Sequence, residues 1–161
     1  GTRHLSTVPN TPVAINEGVI ACEKASTLTE ADRDLVFALL DLLGTPVEVE
    51  TRLLSVAGTV GGCSPAFIAM VIEALADAAV KHGIPRATAY PMVSQMMVGT
   101  AKLQLSTGMH PGAMKDAVCS PGGTTAVWRS SRRRACARLL SALSTRSRGR
   151  FLQDETRMKS C

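Results

Sequence analysis

Two adjacent glycines followed by two threonines mark the segment best suited to bind a small anion. The segment reads Lys115-Asp116-Ala117-Val118-Cys119-Ser120-Pro121-Gly122-Gly123-Thr124-Thr125. Gly122 and Gly123 let the backbone turn tightly and present bare amides, as a carboxylate or phosphate site at a helix N-terminus requires. Thr124 or Thr125 adds a hydroxyl that can donate to, or accept from, the same ligand. Taken alone, however, the pattern favours an ordinary loop-to-helix connection with a capping threonine.

Other side chains capable of chemistry have ordinary structural explanations. Glu73, Asp77 and Lys81 follow one another at four-residue spacing, which indicates a solvated helix face with an ion pair. His82 and His110 lie at predicted helix ends. The five cysteines are odd in number and never spaced C-x-x-C, as is typical of free thiols in a reducing compartment. We therefore predict no metal site and no disulfide framework.

Composition and pattern predict helices as the elements that position this segment. Apolar residues make up 45% of the chain and aromatic residues 3%, which favours close-packed helices over a sheet sandwich. The central helices are predicted at residues 66–82, 85–106 and 111–118. Pro91 predicts a kink in the second or a later start near Thr88, and Gly108 is predicted to end it. Ser64 is the predicted cap of the first, and residues 58–62 are predicted to be a flexible stretch before it.

The N-terminal part is predicted to be extended, with one helix. Prolines at 9 and 12 favour an extended, turn-rich entry, and residues 13–21 a short strand interrupted by Gly18. Thr29 and Asp32 form a capping box for a helix that Gly44 ends. Residues 46–49 alternate like a brief edge strand.

Charge divides the chain into two compositional parts. Residues 1–125 carry 8 basic and 11 acidic side chains, whereas residues 126–161 carry 10 basic and 2 acidic ones. The basic character therefore belongs to an arginine-rich tail rather than to a binding face of the globule. We identify neither an apolar run of about 18 residues nor a secretion signal, so we expect no membrane insertion and a cytoplasmic location.

The chain resembles pyrroline-5-carboxylate reductases in seven blocks that occur in the order and spacing of that family. The blocks are Pro9-Asn10-Thr11-Pro12, Cys63-Ser64-Pro65-Ala66-Phe67, Glu73-Ala74-Leu75-Ala76-Asp77, Gly83-Ile84-Pro85-Arg86, Gly99-Thr100-Ala101-Lys102, His110-Pro111-Gly112 and the segment from Lys115 to Thr125. Together they span residues 8–125.

The resemblance implies an all-α fold, namely a helical dimerisation domain of the C-terminal type found in 6-phosphogluconate dehydrogenase, with a short extended N-terminal segment. It implies reduction of 1-pyrroline-5-carboxylate to L-proline with NADPH or NADH, in a homodimer or higher homo-oligomer. In that family a Rossmann domain precedes the helical domain, and the substrate lies at the helical dimer interface.

The resemblance also assigns roles to individual residues. The loop of Ser120, Gly122, Gly123 and Thr124 matches the one whose amides hold the substrate carboxylate. Thr125 matches the catalytic-site threonine that hydrogen-bonds the ring nitrogen of the substrate. Val118 matches a residue that lines the same pocket, and Asn10 lies in the family segment near the nicotinamide.

The chain departs from the family at three places. No G-x-G-x-x-G turn precedes Pro9, so we expect this chain alone to bind the cofactor poorly and to be inactive. Thr59 stands where the family has a threonine before a Ser-Gly-Ser-Gly type sequence. After Thr125 an arginine-serine tract replaces the family's final helix. Reading residues 131–139 one base earlier permits Leu-Glu-Glu-Ala-Gly-Val-Arg-Ala-Ala, which leads to the hypothesis of a frameshift.

These observations divide the chain into three functional parts. Residues 1–57 are predicted to be a linker and an inter-domain remnant with one helix, residues 58–125 the dimerisation and substrate-binding domain, and residues 126–161 the tail. The alternative function is a non-catalytic dimerisation module with a genuine basic tail. Such a tail would bind nucleic acid or another acidic surface in a salt-dependent manner. Trp128 and Phe151 are too few aromatics for a stacking platform, so we expect no nucleic-acid partner.

Overall fold

The computed structural model describes residues 2–120, which form two compact units, residues 2–68 and residues 69–120. The strands are β1 (Thr7–Pro9), β2 (Gly18–Glu23) and β3 (Gly44–Val49). The α-helices are α1 (Glu30–Asp41), α2 (Leu54–Lys81), α3 (Arg86–Thr107) and α4 (Pro111–Ala117). Short 3-10 helices span Thr11–Ile15 and Thr51–Leu53. The predicted mostly helical fold is confirmed, and its extended N-terminal segment is a small sheet.

The sheet has the order β1-β2-β3 in the first unit. β1 runs antiparallel to β2, whereas β3 runs parallel to it with Gly18 opposite Gly44. The central strand is the buried one, since Ile20, Ala21 and Cys22 are all less than 5% exposed. The edge strand predicted at residues 46–49 is confirmed as part of β3.

Helix α1 connects β2 to β3, and its start follows the predicted capping box. The hydroxyl of Thr29 accepts a hydrogen bond from the amide of Asp32 at 3.2 Å and donates to the Asp32 carboxylate at 2.6 Å. The hydroxyl of Thr29 also lowers the pKa of Asp32, because it stabilises the ionised form. Arg33 binds Glu48 on β3, and its guanidinium lies 4.6 Å from the centre of the Phe37 ring. The ion pair of Arg33 with Glu48 joins α1 to the edge strand β3.

The strand predicted over residues 13–21 is wrong in its first half. Thr11–Ile15 forms a 3-10 helix that Asn16 ends in a left-handed conformation, with φ of 61°. Gly18 therefore begins β2 rather than interrupting it. A side chain at Gly18 would put its Cβ 2.3 Å from Cγ1 of Val13, so only glycine permits this turn to close.

Helix α2 begins earlier than predicted. It starts at Leu54 and continues through the stretch predicted to be flexible, residues 58–62, and through Pro65. Ser64 is therefore an interior residue and not the helix cap. Glycines in this part of α2 suit a close approach, because a Cβ on Gly58 would lie 2.8 Å from Cγ1 of Val8 on β1. The boundary predicted between residues 57 and 58 falls inside α2, and as a functional division it stays a prediction.

Within residues 2–120, the segment Thr51–Lys81 has the length and composition of a membrane-spanning helix. Residues 53–72 contain no charged side chain, so the predicted absence of a long apolar run is wrong. One such helix is weak support for a membrane, because the core helix of a soluble protein meets the same criteria. The expectation of no membrane insertion stays a prediction.

The second unit pairs the end of α2 with α3 around a small core. Ala76, Ala89 and Val93 are buried there, and Ile72 and Tyr90 pack against them among other partly buried residues. The predicted helices over residues 85–106 and 111–118 are confirmed as α3 and α4. Pro91 lies inside α3, and Gly108 ends α3 in the left-handed conformation with φ of 62°.

Candidate functional site

Helix α4 carries the approach to the predicted anion-binding loop. His110 caps its start, with Nδ1 accepting a hydrogen bond from the amide of Gly112 at 3.1 Å. At its end the amides of Val118 and Cys119 donate to the carbonyls of Lys115 and Asp116. Those two amides therefore already donate hydrogen bonds within the end of α4 and are not free to bind a ligand.

The substrate-binding residues predicted here lie partly outside the described residues. Val118 is 67% exposed, and Ser120 is exposed. Gly122, Gly123, Thr124 and Thr125 lie outside the residues that the structure describes. The carboxylate-binding role of the loop, the pocket-lining role of Val118 and the catalytic role of Thr125 therefore stay predictions.

Asn10, predicted to lie near the nicotinamide, uses both ends of its side chain within the first unit. Its Oδ1 accepts a hydrogen bond from the amide of Val19 at 2.9 Å, and its Nδ2 donates to the carbonyl of Gly61 at 3.3 Å. Asn10 thus joins the beginning of β2 to helix α2. Its assignment to the cofactor stays a prediction, and the structure adds a structural role that sequence reasoning missed.

Asp77 and Thr59 form hydrogen bonds with partners other than those that the sequence indicated. Asp77 accepts a hydrogen bond from Arg86 at 2.8 Å, across the turn from α2 to α3, so the ion pair predicted with Lys81 is wrong. Arg86 also donates to the hydroxyl of Tyr90 at 3.2 Å. The hydroxyl of Thr59 donates to the carbonyl of Ser55 at 2.9 Å, so α2 itself uses the group that stands in for the family hydroxyl.

Apolar side chains are exposed along α3. Met92, Met96 and Leu103 are 46%, 47% and 55% exposed and share one helix face with Gly99, at spacings of 4, 7 and 11 residues. The neighbouring face carries Gln95 and other polar residues, namely Thr88, Lys102 and Ser106. Val98 and Leu105, which are 44% and 79% exposed, lie on the opposite side of α3. The row of Met92, Met96 and Leu103 is therefore one candidate interaction surface of α3. We call Met92, Met96, Gly99 and Leu103 the α3 stripe.

Exposed apolar side chains also lie along α2. Val56 and Val60 are one helical turn apart in the first unit, and Met70 in the second unit is 63% exposed. Ala76 is the one residue of this 28-residue helix that is fully buried. Because burial of apolar surface is the main driving force of association, α2 provides a second candidate interface.

The thiols in the described residues differ in access. Cys22 is completely buried in β2, and burial raises the pKa of its thiol, with the charge of Glu48 raising it further. Cys63 and Cys119 are partly exposed, and all three are free. Among residues 2–120, no group of three or more metal-ligating side chains comes together. Cys22 therefore reports on the integrity of the sheet rather than on a reactive site.

Comparison with known proteins places these helices in a family. The family description "Pyrroline-5-carboxylate reductase dimerisation" matches residues 51–148. The pyrroline-5-carboxylate reductase of Treponema pallidum (strain Nichols) is 43% identical over 125 residues, covering 78% of this chain and 48% of that protein. The match to residue 148 continues past Thr125, where the resemblance was predicted to end. The frameshift hypothesis itself stays a prediction.

Solved structures give the same result. The pyrroline carboxylate reductase of Plasmodium falciparum with NADP bound matches with a TM-score of 0.79 at 26% identity, covering 89% of this chain and 58% of that one. The 1-pyrroline-5-carboxylate reductase of Streptococcus pyogenes matches with a TM-score of 0.78 at 31% identity, covering 88% and 55%. The chain spans about half the length of the relatives that it matches. Because the family description covers more than half of the sequence, the chain belongs to the pyrroline-5-carboxylate reductase family and contains its dimerisation region.

Proposed function

We propose that the chain supplies the dimerisation and substrate-binding part of an enzyme that reduces 1-pyrroline-5-carboxylate to L-proline with NADPH or NADH. The observation that carries this proposal is the exposed apolar surface of α2 and α3, which lies inside the region matched by the dimerisation description. The proposal also rests on the relatives, which are named pyrroline-5-carboxylate reductases.

The partner that we propose for these apolar faces is a second copy of the chain. Helix α2 has 28 residues and one fully buried side chain, and its apolar residues Val56, Val60, Ile68 and Met70 are each at least 42% exposed. Exposed apolar surface of this kind is typical of an interaction site. A homodimer removes that surface from water on both chains at once. A cytoplasmic, membrane-free location is part of the same proposal.

The substrate chemistry requires little from the protein beyond binding and orientation. The substrate is a small cyclic imine with a carboxylate, so a loop with free amides would hold its negative charge. The hydroxyl of Thr125 would hydrogen-bond the ring nitrogen and hold the ring in one orientation. A protonated imine is electrophilic, and no protein nucleophile is needed.

We infer that the turn from β2 to α1 is not the phosphate-binding turn of the cofactor site. Residues 24–29, which lead from β2 into α1, contain no glycine, whereas the phosphate-binding turn of a dinucleotide fold depends on glycines. Asn10 already uses its Oδ1 and Nδ2 for bonds to Val19 and Gly61. We therefore assign to these residues substrate binding and dimerisation, and no step that involves the cofactor.

Binding of L-proline to the chain tests this proposal by calorimetry. Prolinamide lacks the carboxylate charge, so it should bind at least about tenfold more weakly, since a hydrogen bond to a charged group contributes about 1.5–3 kcal/mol. Thr125→Val should weaken binding of L-proline at least about tenfold, because the ring nitrogen of L-proline is a charged ammonium at neutral pH and a hydrogen bond to a charged group contributes about 1.5–3 kcal/mol. Thr45→Val, on the exposed edge strand β3, is the matched control and should leave binding unchanged.

The outcomes of this experiment separate the two candidate functions. Equal affinity for L-proline and prolinamide would contradict the carboxylate-binding loop. A chain that forms dimers but binds neither compound would be the non-catalytic dimerisation module. That alternative is possible because dimerisation through α2 and α3 does not require the substrate-binding loop. Oxidation of NADPH by the chain with 1-pyrroline-5-carboxylate, followed by absorbance, would contradict the expected inactivity of this chain alone.

A further inference from the structure

A proline inside α2 removes one hydrogen bond from the helix at a defined carbonyl. In an α-helix each amide donates to the carbonyl four residues earlier. Pro65 lies inside α2 and has no amide hydrogen, so the carbonyl of Gly61 cannot receive its usual donor. A carbonyl that loses its partner in a partly buried position is costly unless another donor takes its place.

Asn10 supplies that donor from outside the helix. Its Nδ2 lies 3.3 Å from the carbonyl oxygen of Gly61, and this contact is partly buried. The other end of the same amide is fixed, since Oδ1 accepts from the amide of Val19 at 2.9 Å. The orientation of the amide is therefore determined by two backbone partners, one in β2 and one in α2.

The backbone around this contact allows the two elements to approach closely. Gly58 lies one turn before Gly61 on the same side of α2, and there is no space for a Cβ between Gly58 and Val8 of β1. Val8 precedes Asn10 by two residues, so the same stretch of chain contacts α2 at both positions. The hydrogen bond and the apolar contact thus fix the same part of α2 to the sheet.

We infer that Asn10 is a positioning residue that completes the hydrogen bonding of α2 at the carbonyl left free by Pro65, and thereby fixes α2 to the sheet. Asn10, Gly61 and Pro65 form what we call the Asn10 latch. Only its link to the reaction rests on the proposed function, since the latch would hold the segment predicted to face the nicotinamide against the dimerisation helix.

A double-mutant cycle tests the latch in the full chain. Asn10→Ala removes the hydrogen bonds to both Val19 and Gly61, so it should lower the ratio of folded to unfolded protein for residues 2–68 by at least about twentyfold, as expected for two bonds of about 1 kcal/mol each. In a Pro65→Ala background the new amide at residue 65 binds the carbonyl of Gly61, so the same substitution should cost at least about fivefold less. Urea titration and the labelling rate of the buried Cys22 thiol measure the ratio.

Pro91→Ala is the matched control, because Pro91 is also an interior helix proline but lies in α3. In the Pro91→Ala background, Asn10→Ala should lower the ratio of folded to unfolded protein by the same factor as in the wild-type chain. Hydrogen exchange gives a second readout that a general loss of stability would not produce. The amide at residue 65 of Pro65→Ala should exchange more slowly when Asn10 is also replaced, since the two donors compete for one carbonyl.

A variant of the same shape keeps the test valid if Asn10→Ala fails to fold. Asn10→Asp retains the acceptor for the amide of Val19 but cannot donate to the carbonyl of Gly61 while ionised. Its effect on the ratio of folded to unfolded protein should also be smaller in the Pro65→Ala background. If replacing Asn10 destabilises the protein equally in the wild-type, Pro65→Ala and Pro91→Ala backgrounds, the proposed Asn10 latch is wrong. Failure of L-proline binding would leave the coupling between residues 10 and 65 intact, so the two proposals fail separately.

Discussion

Replacing Gly44 with valine is expected to unfold residues 2–68. Gly44 has φ of 151°, a conformation that residues with a side chain rarely adopt. It also lies opposite Gly18 in the parallel pair of β2 and β3, and a Cβ there would be 2.1 Å from the carbonyl oxygen of Gly18. Since both contacting groups are backbone, the strands would have to separate, at a cost of more than about 4 kcal/mol.

Labelling of the Cys22 thiol measures this loss, because that side chain is completely buried in β2. In Gly44→Val the thiol should react as rapidly as in urea-unfolded protein, as shown by mass spectrometry of the peptide that contains it. Gly62→Ala is the matched control, since a Cβ at Gly62 meets nothing within 4 Å. It should preserve slow labelling and stabilise α2 by up to about 1 kcal/mol. Slow labelling in Gly44→Val would contradict the sheet register.

Replacing Met96 with glutamate is expected to abolish self-association of the chain. Met96 lies in the middle of the α3 stripe, between Met92 and Leu103, and is 47% exposed in the single chain. Burying an unpaired carboxylate at an interface costs several kcal/mol, so the dimer dissociation constant should rise at least about thirtyfold. Helicity should be unchanged, because glutamate and methionine have similar helix propensities.

Gln95→Glu is the matched control for this substitution. It introduces the same charge one residue earlier, on the polar face of α3 that also carries Thr88, Lys102 and Ser106. Sedimentation velocity should show a dimer for Gln95→Glu and a monomer for Met96→Glu at the same micromolar concentration. If both variants associate like the wild-type chain, the α3 stripe does not lie in the interface.

Local signals predicted the elements whose ends depend on nearby residues. The hydroxyl of Thr29 caps α1 because its partner, the amide of Asp32, is three residues away. Gly108 ends α3 because a left-handed residue is needed at that position. In these cases the sequence contains both partners within a few residues, so pattern and structure agree.

Tertiary contacts decided the elements that sequence reasoning misplaced. Glycines at residues 58–62 have low helix propensity, yet α2 includes them. For Gly58 the structure gives a reason, since a Cβ there would lie 2.8 Å from Cγ1 of Val8 on β1. Asp77 has Lys81 at ideal helical spacing, but Arg86 reaches it across the turn and also binds Tyr90. Neither partner choice can be read from spacing along one helix.

In the candidate site, too, local patterns were less informative than contacts between distant residues. The proposed roles of Thr125 and its loop came from the resemblance, because a Gly-Gly-Thr-Thr pattern has several ordinary explanations. The contact of Asn10 with Gly61 joins residues 51 positions apart and could not be predicted by periodicity. A usable signal was nevertheless present, since an interior helix proline always leaves one carbonyl without its amide.

The molar mass of the wild-type chain in detergent-free buffer tests the central claim most directly. Association through the apolar faces of α2 and α3 predicts twice the 17.0 kDa of one chain, or a higher multiple, by sedimentation equilibrium at micromolar concentration. Dilution should shift the mass towards that of one chain. A soluble chain that remains at 17.0 kDa at every concentration, or one that dissolves only in detergent micelles, would contradict the account.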